Sequence, residues 1–186
     1  MALVKPCLTQ SASQLKIVDV FADIVNSMKP GLDKLGLSTI YTYGKGIQIL
    51  TYLQGLDNSI THKQKYPLIA LFMPFKEQMG GDYYTTAKFS KIVIASLSNA
   101  TDRPEERYQK SFNTILYPVY QEFLKQISRN PNVVLHNQDY IPHTKMDNPG
   151  SPPPKKDSAG FSDYVDAIEI YDMELTFQLN SNYKTI

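Results

Sequence analysis

Three groups of residues in this sequence could do chemistry if the fold brought them together. His136, Asp139 and His143 are potential metal ligands lying close in sequence. A catalytic or structural metal needs ligands spaced so that one local geometry aims them at one ion, as HExxH does on a helix. Neither that spacing nor a facial triad occurs, so the group reads as solvated side chains in a loop and no metal is expected. The second group is paired carboxylates, Glu105 with Glu106 and Asp163 with Asp166. Such pairs do acid–base work when burial raises one of them, and nothing in the local sequence predicts that burial. The third is "DRPEERY", Asp102 to Tyr108, with five charges in seven residues.

That last stretch has a structural explanation. Asp102 suits a helix N-cap, and Glu105, three residues on, can accept from its N–H as in a capping box. Pro104 is tolerated in a first turn, where an N–H would have no intrahelical partner. Glu105 and Glu106 sit where the helix dipole favours anions. Arg103 can pair with Glu106, and Glu106 with Lys110, while Arg103 and Arg107 repel at i, i+4. The open question is whether Arg103 or Arg107 also meets an acid of the Asp163 to Glu174 segment in a neighbouring subunit.

Other reactive patterns are missing. Gly44-Lys45-Gly46 and Gly80-Gly81 match neither GxGxxG nor GxxxxGK[ST] and read as turns. No GxSxG elbow occurs, and the single Cys7 excludes a disulfide or a Cys-based zinc site within one chain. These patterns assign no catalytic residue, cofactor or metal, and the chain reads as non-enzymatic.

The elements that would position these residues follow from periodicity. Gln14 to Lys29 has a helical stripe interrupted at Pro30-Gly31, with one further turn before Gly36. Ser38 to Tyr43 is a strand candidate, and Ile47, Leu50, Leu53 and Leu56 fall on one face of a short helix. Leu68 to Met73 is a continuous apolar run, read as a buried strand. Phe75 to Thr86 is a reversal or projecting hairpin, and Phe89 to Leu97 a second buried strand. Tyr108 to Ile127 is a long amphipathic helix with Pro118 as a kink or break. Val133 to His136 is a short strand. Asn137 to Gly160 lacks periodicity and holds a Pro-rich run, so it reads as a long loop or arm. From Tyr171 to Leu179 apolar and polar residues alternate, and Ile168 and Ile170 sit in the opposite phase, which predicts a bulge or bend near Tyr171. The expected fold is α+β: a mixed, largely antiparallel sheet with helices packed on one face, a projecting hairpin and a Pro-rich loop. One domain over residues 1–186 suffices, with an N-terminal arm at 1–13 and the long loop at 137–160.

Composition agrees with a globular chain: 186 residues, 42% hydrophobic, 20% charged. The net charge of +1 gives no electrostatic case for nucleic acid or an anionic membrane. No apolar run is long enough to span a bilayer, and no leader-like segment follows Met1, so a soluble protein of a reducing compartment is expected. The thirteen Tyr suit interfaces. Charge is uneven: five Lys lie between His62 and Lys91, against Glu77 and Asp82, whereas six acids and no base lie between Asp157 and Glu174. On opposite faces, such segments could stack copies head to tail.

The order of elements resembles tailed-bacteriophage neck and tail-completion proteins, including ring proteins of Bacteroidetes-infecting phages. It rests on an N-terminal helix, "YPLIALFMPF" (Tyr66 to Phe75), the returning "KIVIASLS" (Lys91 to Ser98), "NATDRPEERYQKSFNTILYPVYQEFLKQI" (Asn99 to Ile127) and the last alternating strand. The resemblance implies a non-enzymatic subunit of a symmetric ring of six or twelve copies, joining portal and capsid vertex to tail. Such a protein is made in the host cytoplasm and resides in the virion, with portal, neck or tail proteins as neighbours and DNA passing through the lumen. On that reading the subunit interface draws on Tyr83, Tyr84, Lys88, Arg103, Arg107, Lys155, Lys156, Asp163 and Asp166. The alternative is a small soluble α/β ligand-binding domain or enzyme, and a minor one is a nucleic-acid module using Lys88 and Lys91 among their aromatic neighbours.

Overall fold

A computed structural model describes residues 17–57, 65–80, 84–136, 141–147 and 163–178. Helix α1, Ile17–Asp33, buries Ile17, Val20, Phe21, Ile24, Val25, Met28 and Leu32, a single stripe at helical spacing. The expected break at Pro30 does not occur. Leu32 continues the buried stripe past the proline, and this packing carries the helix through the missing hydrogen bond. Gly36 ends it: with φ of +68°, it donates to Asp33 O at 3.1 Å while Leu37 donates to Leu32 O at 3.0 Å. This is a Schellman cap, closed by packing of Leu37 on the same core as Leu32.

Strand β1, Ile40–Gly44, passes through Gly44 at φ +144° into helix α2, Gly46–Asp57. Gln48 turns back to accept the Lys45 N–H at 2.8 Å, and a Cβ on Gly44 would lie 2.9 Å from that same Gln48 oxygen. The buried face of α2 carries Ile49 and Leu53, with Leu56 beside them, whereas Ile47 is 68% exposed. The expected stripe through Ile47 was a second pattern of equal period; contact with the sheet selects between them.

Strand β2 is Leu68–Phe72, β3 Lys76–Gly80 and β4 Tyr84–Leu97. A rod of helix follows: α3, Pro104–Arg107, a π-helical segment, Tyr108–Leu116, and α4, Tyr117–Arg129. The helical rod continues through Pro118 without a break. This proline lies where the π register gives way to α, with Tyr117 N still bonded to Phe112 O five residues back. A wider turn just before a proline gives its ring room and places the missing N–H at a register change. Strands β5, Val133–Leu135, β6, His143–Asp147, and β7, Val165–Gln178, complete the order.

The sheet runs β1-β2-β4-β7-β5, with β3 also on β4 and β6 also on β7. Among the described strands only β1 and β2 pair in parallel. The mixed, largely antiparallel α+β class is as expected. Helices α1 and α4 cover one face, over Ile69, Leu71, Phe89, Ile92, Ile168, Met173 and Phe177. Helix α2 covers part of the other, over Leu68, Ala70, Val93, Ala95, Val165 and Ala167, so the helical layer is not confined to one side. β3 and β4 pair antiparallel, and β4 is paired with β7 along the same length; the projection expected of this segment is not shown. The stretch at 137–160 is not structureless throughout, because β6 lies inside it and adds to β7. The N-terminal arm, the hairpin tip and the Pro-rich run fall outside the described residues.

The bend expected near Tyr171 is present, in both central strands. Along β4 the helix-facing residues run Ala87, Phe89, then Ile92, Ile94; along β7 they run Ile168, Ile170, then Met173, Leu175, Phe177. Each strand thus changes phase once, at Ser90–Lys91 and at Tyr171–Asp172. The register is unchanged across the step, Phe89 pairing Met173 and Lys91 pairing Tyr171. Asp172 makes the turn with φ of +52°, a conformation that Asp tolerates better than most residues.

Candidate functional site

The charged residues singled out by sequence converge on β7, as a ladder of ion pairs within one chain. Asp163 meets Lys65 at 3.1 Å and the Tyr66 hydroxyl at 3.0 Å. Asp166 is in contact with the Arg107 guanidinium. Glu169 meets Lys91 at 2.6 Å and accepts from the Tyr171 hydroxyl. Asp172 meets Lys88 at 3.2 Å. The acids recur every third residue, so Asp166 and Glu169 point to opposite faces of the strand: Asp166 under the helical rod, Glu169 toward the α2 side.

The burial of this ladder is graded. Asp166 and Lys65 are wholly buried and Glu169 nearly so, while both partners in the Lys88–Asp172 pair are largely exposed. The Arg107 guanidinium also stacks 5.1 Å from the Tyr164 ring, and its Nη1 lies 3.4 Å from that hydroxyl. Beside it, Ser96, the cross-strand partner of Asp166, shares a 2.8 Å hydrogen bond with Ser111 of the π segment. A polar island therefore fastens the start of the rod to the ends of β4 and β7. A buried charge is tolerated when a partner offsets it; here Arg107 neutralises Asp166, although the second Asp166 oxygen has no hydrogen-bond partner among the described residues.

These contacts change the sequence-based interface. Arg107 and Asp166 bind each other inside the chain; Asp166 is wholly buried, while the Arg107 side chain is 11% exposed. The basic and acidic segments are cross-strand neighbours rather than opposite faces, so the charge argument for stacking copies lapses. Tyr84 is exposed at the loop end of the β3–β4 pair, paired with Gly80 and Gln178. Arg103, not Asp102, is the N-cap of α3; its N–H donates to Glu106 Oε2 at 3.3 Å. The capping box is thus one residue later than expected, and Asp102 instead holds Lys110 at 2.9 Å. The Glu106–Lys110 pair is present at 4.0 Å. Tyr83, Lys155 and Lys156 lie outside the described residues, as does Asp139.

His136 and His143 sit on opposite faces of the sheet. His143 lies across from Ile170 on the helix side, 3.4 Å from the Tyr120 hydroxyl, whereas His136 bonds Thr176 at 2.6 Å on the other side. Among the described residues no three His, Cys, Asp or Glu are placed to hold a metal. A second aromatic–cationic cluster lies one strand away. Lys145 of β6 sits 4.8 Å from the Tyr117 ring and 5.7 Å from that of Tyr108, whose hydroxyls are 3.3 Å apart. Burial raises the Tyr117 phenol, but hydrogen bonds from Lys145 and Tyr108 outweigh it and leave it below its ordinary value. The hydrogen bond to Tyr117 raises Lys145 in turn. Together with His143 on Tyr120, these contacts bind β6 to the rod and give three of the thirteen tyrosines a place.

A cavity of about 210 Å³ opens where β7 changes phase. Leu135 and Met173 contribute apolar walls, with Lys88, His136, Asp172 and Glu174 around them. It holds both signs of charge. Lys65, the Ser96–Ser111 pair and the Glu169–Tyr171 contact were missed by sequence reasoning; aligning the basic β4 against the acidic β7 would have found Lys91 opposite Tyr171 and diagonal to Glu169.

The described residues define an α+β fold built on an open sheet whose ionisable groups are largely matched to one another. No protein-family model, curated protein or solved structure matches this chain.

Proposed function

We propose that the chain is a non-enzymatic structural subunit of a symmetric ring in the neck or tail of a tailed bacteriophage, contacting portal, neck or tail proteins. The observation that carries this reading is that the sheet is open and bears apolar side chains on two unlike borders. On one border β3 exposes Met79 at 78%, with Tyr84 beside it; on the other β5 exposes Val134. A head-to-tail ring needs two different patches on each copy, and exposed aromatic and Met side chains are the kind that interface cores favour. The element order that resembles neck and tail-completion proteins supports the same reading. Sedimentation of the protein, alone and with neighbouring structural proteins, followed by electron-microscopic class averages, tests it. Closed rings or incorporation into particles is expected; a persistent monomer that joins no particle overturns it.

The cavity beside His136 favours a second reading, a small ligand-binding domain, because it is lined by paired charges over an apolar floor. Saturable binding of a small zwitterionic ligand that His136→Ala abolishes would establish that reading instead.

A further inference from the structure

The edge of β1 differs from the other free edges of the sheet. Exposed strand edges are usually guarded by charge, proline or brevity. β3 carries Lys76 and Glu77, β6 carries Lys145 and Asp147, and β5 has three residues. β1, Ile40-Tyr41-Thr42-Tyr43-Gly44, has none of these guards. From Leu35 to Leu56 Lys45 is the only charged residue, in a chain of which 20% is charged.

The hydrogen bonds show which groups this edge offers. Ile40 N donates to Pro67 O at 3.0 Å, and Gly44 O accepts from Met73 N at 2.9 Å. Alternate residues of a strand turn their backbone groups to the same side, so Ile40, Thr42 and Gly44 face β2. Tyr41 and Tyr43 therefore direct their N–H and C=O groups to the open side. Above the edge, the uncharged outer surface of α2 exposes Ile47 and Tyr52; below it, the Tyr41 and Tyr43 rings stack at 6.2 Å.

Among the described residues no strand pairs with β1 on this side.

We propose that β1 pairs antiparallel with β1 of a second copy, about a two-fold axis through Thr42. In that register Tyr41 lies opposite Tyr43 of the second copy, and each of the two such pairs exchanges two backbone hydrogen bonds. No charge meets its own image, because the edge has none. The two-fold axis keeps both α2 helices on one face of the continued sheet, so that their uncharged outer surfaces, with Ile47 and Tyr52 exposed, flank the seam. The pairing does not depend on the ring reading: it uses an edge that reading leaves free, and it can hold in a protein that joins no particle.

The test uses the full chain in sedimentation velocity together with amide hydrogen exchange. Wild type is expected to dimerise, with Tyr41 and Tyr43 amides protected in the dimer and exchanging quickly in the dilute monomer. Thr42→Asp and Thr42→Lys each place like charges across the axis, and each should weaken pairing on the order of 100-fold or more. An equimolar mixture of the two should restore it, which a merely damaged fold would not. Tyr43→Pro, which removes an outward N–H while leaving the β1–β2 bonds, should give a folded monomer. Three results overturn the proposal: wild type monomeric at about 100 µM, single Thr42 variants that still pair, or Tyr41 and Tyr43 amides already slow in the monomer, the sign that the chain's own segment covers the edge. If the variants fail to fold, the exchange comparison on wild type across concentration decides alone.

Discussion

Replacing Arg107 by Ala is the sharpest probe of how the rod is held to the sheet. Asp166 has no exposed surface, the Arg107 side chain is 11% exposed, and one Asp166 oxygen has no hydrogen-bond partner among the described residues. At contact distance and an effective dielectric of about 20, such a pair is worth roughly 4–5 kcal/mol before desolvation. Removing the cation leaves the carboxylate buried and uncompensated, for which about 3–5 kcal/mol is the usual loss. In a chain of this size, that corresponds to a fall of about 6–20 °C in Tm. Asp166→Asn should cost less, roughly 1–3 kcal/mol, because the guanidinium retains the Tyr164 face and a route to solvent. The double variant Arg107→Leu with Asp166→Leu should lose far less than the two single changes together, since an apolar pair of similar volume avoids the desolvation cost. Urea unfolding of the four proteins measures all three. A cost below about 1 kcal/mol for Arg107→Ala, or additivity in the double variant, would refute the reasoning.

Further outcomes follow from the same geometry. Ser111→Ala strands the Ser96 hydroxyl in the core and should cost about 1–3 kcal/mol, whereas replacing both serines by Ala should cost less; urea midpoints distinguish them. Asp172→Val should destabilise by about 1–2 kcal/mol through its positive φ, and Asp172→Asn by under about 0.5 kcal/mol, because the lost Lys88 pair is exposed. Burial, and then Tyr43 and Asp19, raise the Tyr41 phenol, and burial raises that of Tyr120. Since the neutral form is favoured only in the folded state, stability is complete below about pH 10 and falls as pH rises toward the raised values. Tyr41→Phe should lessen that fall; ultraviolet titration in which every tyrosine of the native protein ionises near pH 10 would count against it.

The sequence was most legible where a pattern had a single interpretation. The stripe of α1 and the alternation in β7 each admit one buried face, and the continuous apolar runs of β2 and β4 admit burial on both. The opposite phases of Ile170 and Met173 announced the bend correctly. Where two readings had equal period, as with Ile47 and Ile49 in α2, the choice belonged to the sheet and not to the helix. Pro30 and Pro118 were read as breaks because local propensity says so, but packing on either side outweighed one lost hydrogen bond. β6 has no apolar rhythm: its His143 and Lys145 are held by tyrosines of the rod, a long-range match that no local window reveals. The same holds for the ion-pair ladder, whose partners stand 59 to 98 residues apart for Asp166 and Asp163.

The joint change of phase at Ser90–Lys91 and Tyr171–Asp172 also constrains how the chain can vary in length. Deleting one residue from β4 alone would turn every side chain beyond the cut to the wrong face and break its match with β7. Removing one residue from each strand at the step would restore both the alternation and the register. Viable relatives should therefore gain or lose length at these two places together, although they lie some eighty residues apart in the gene.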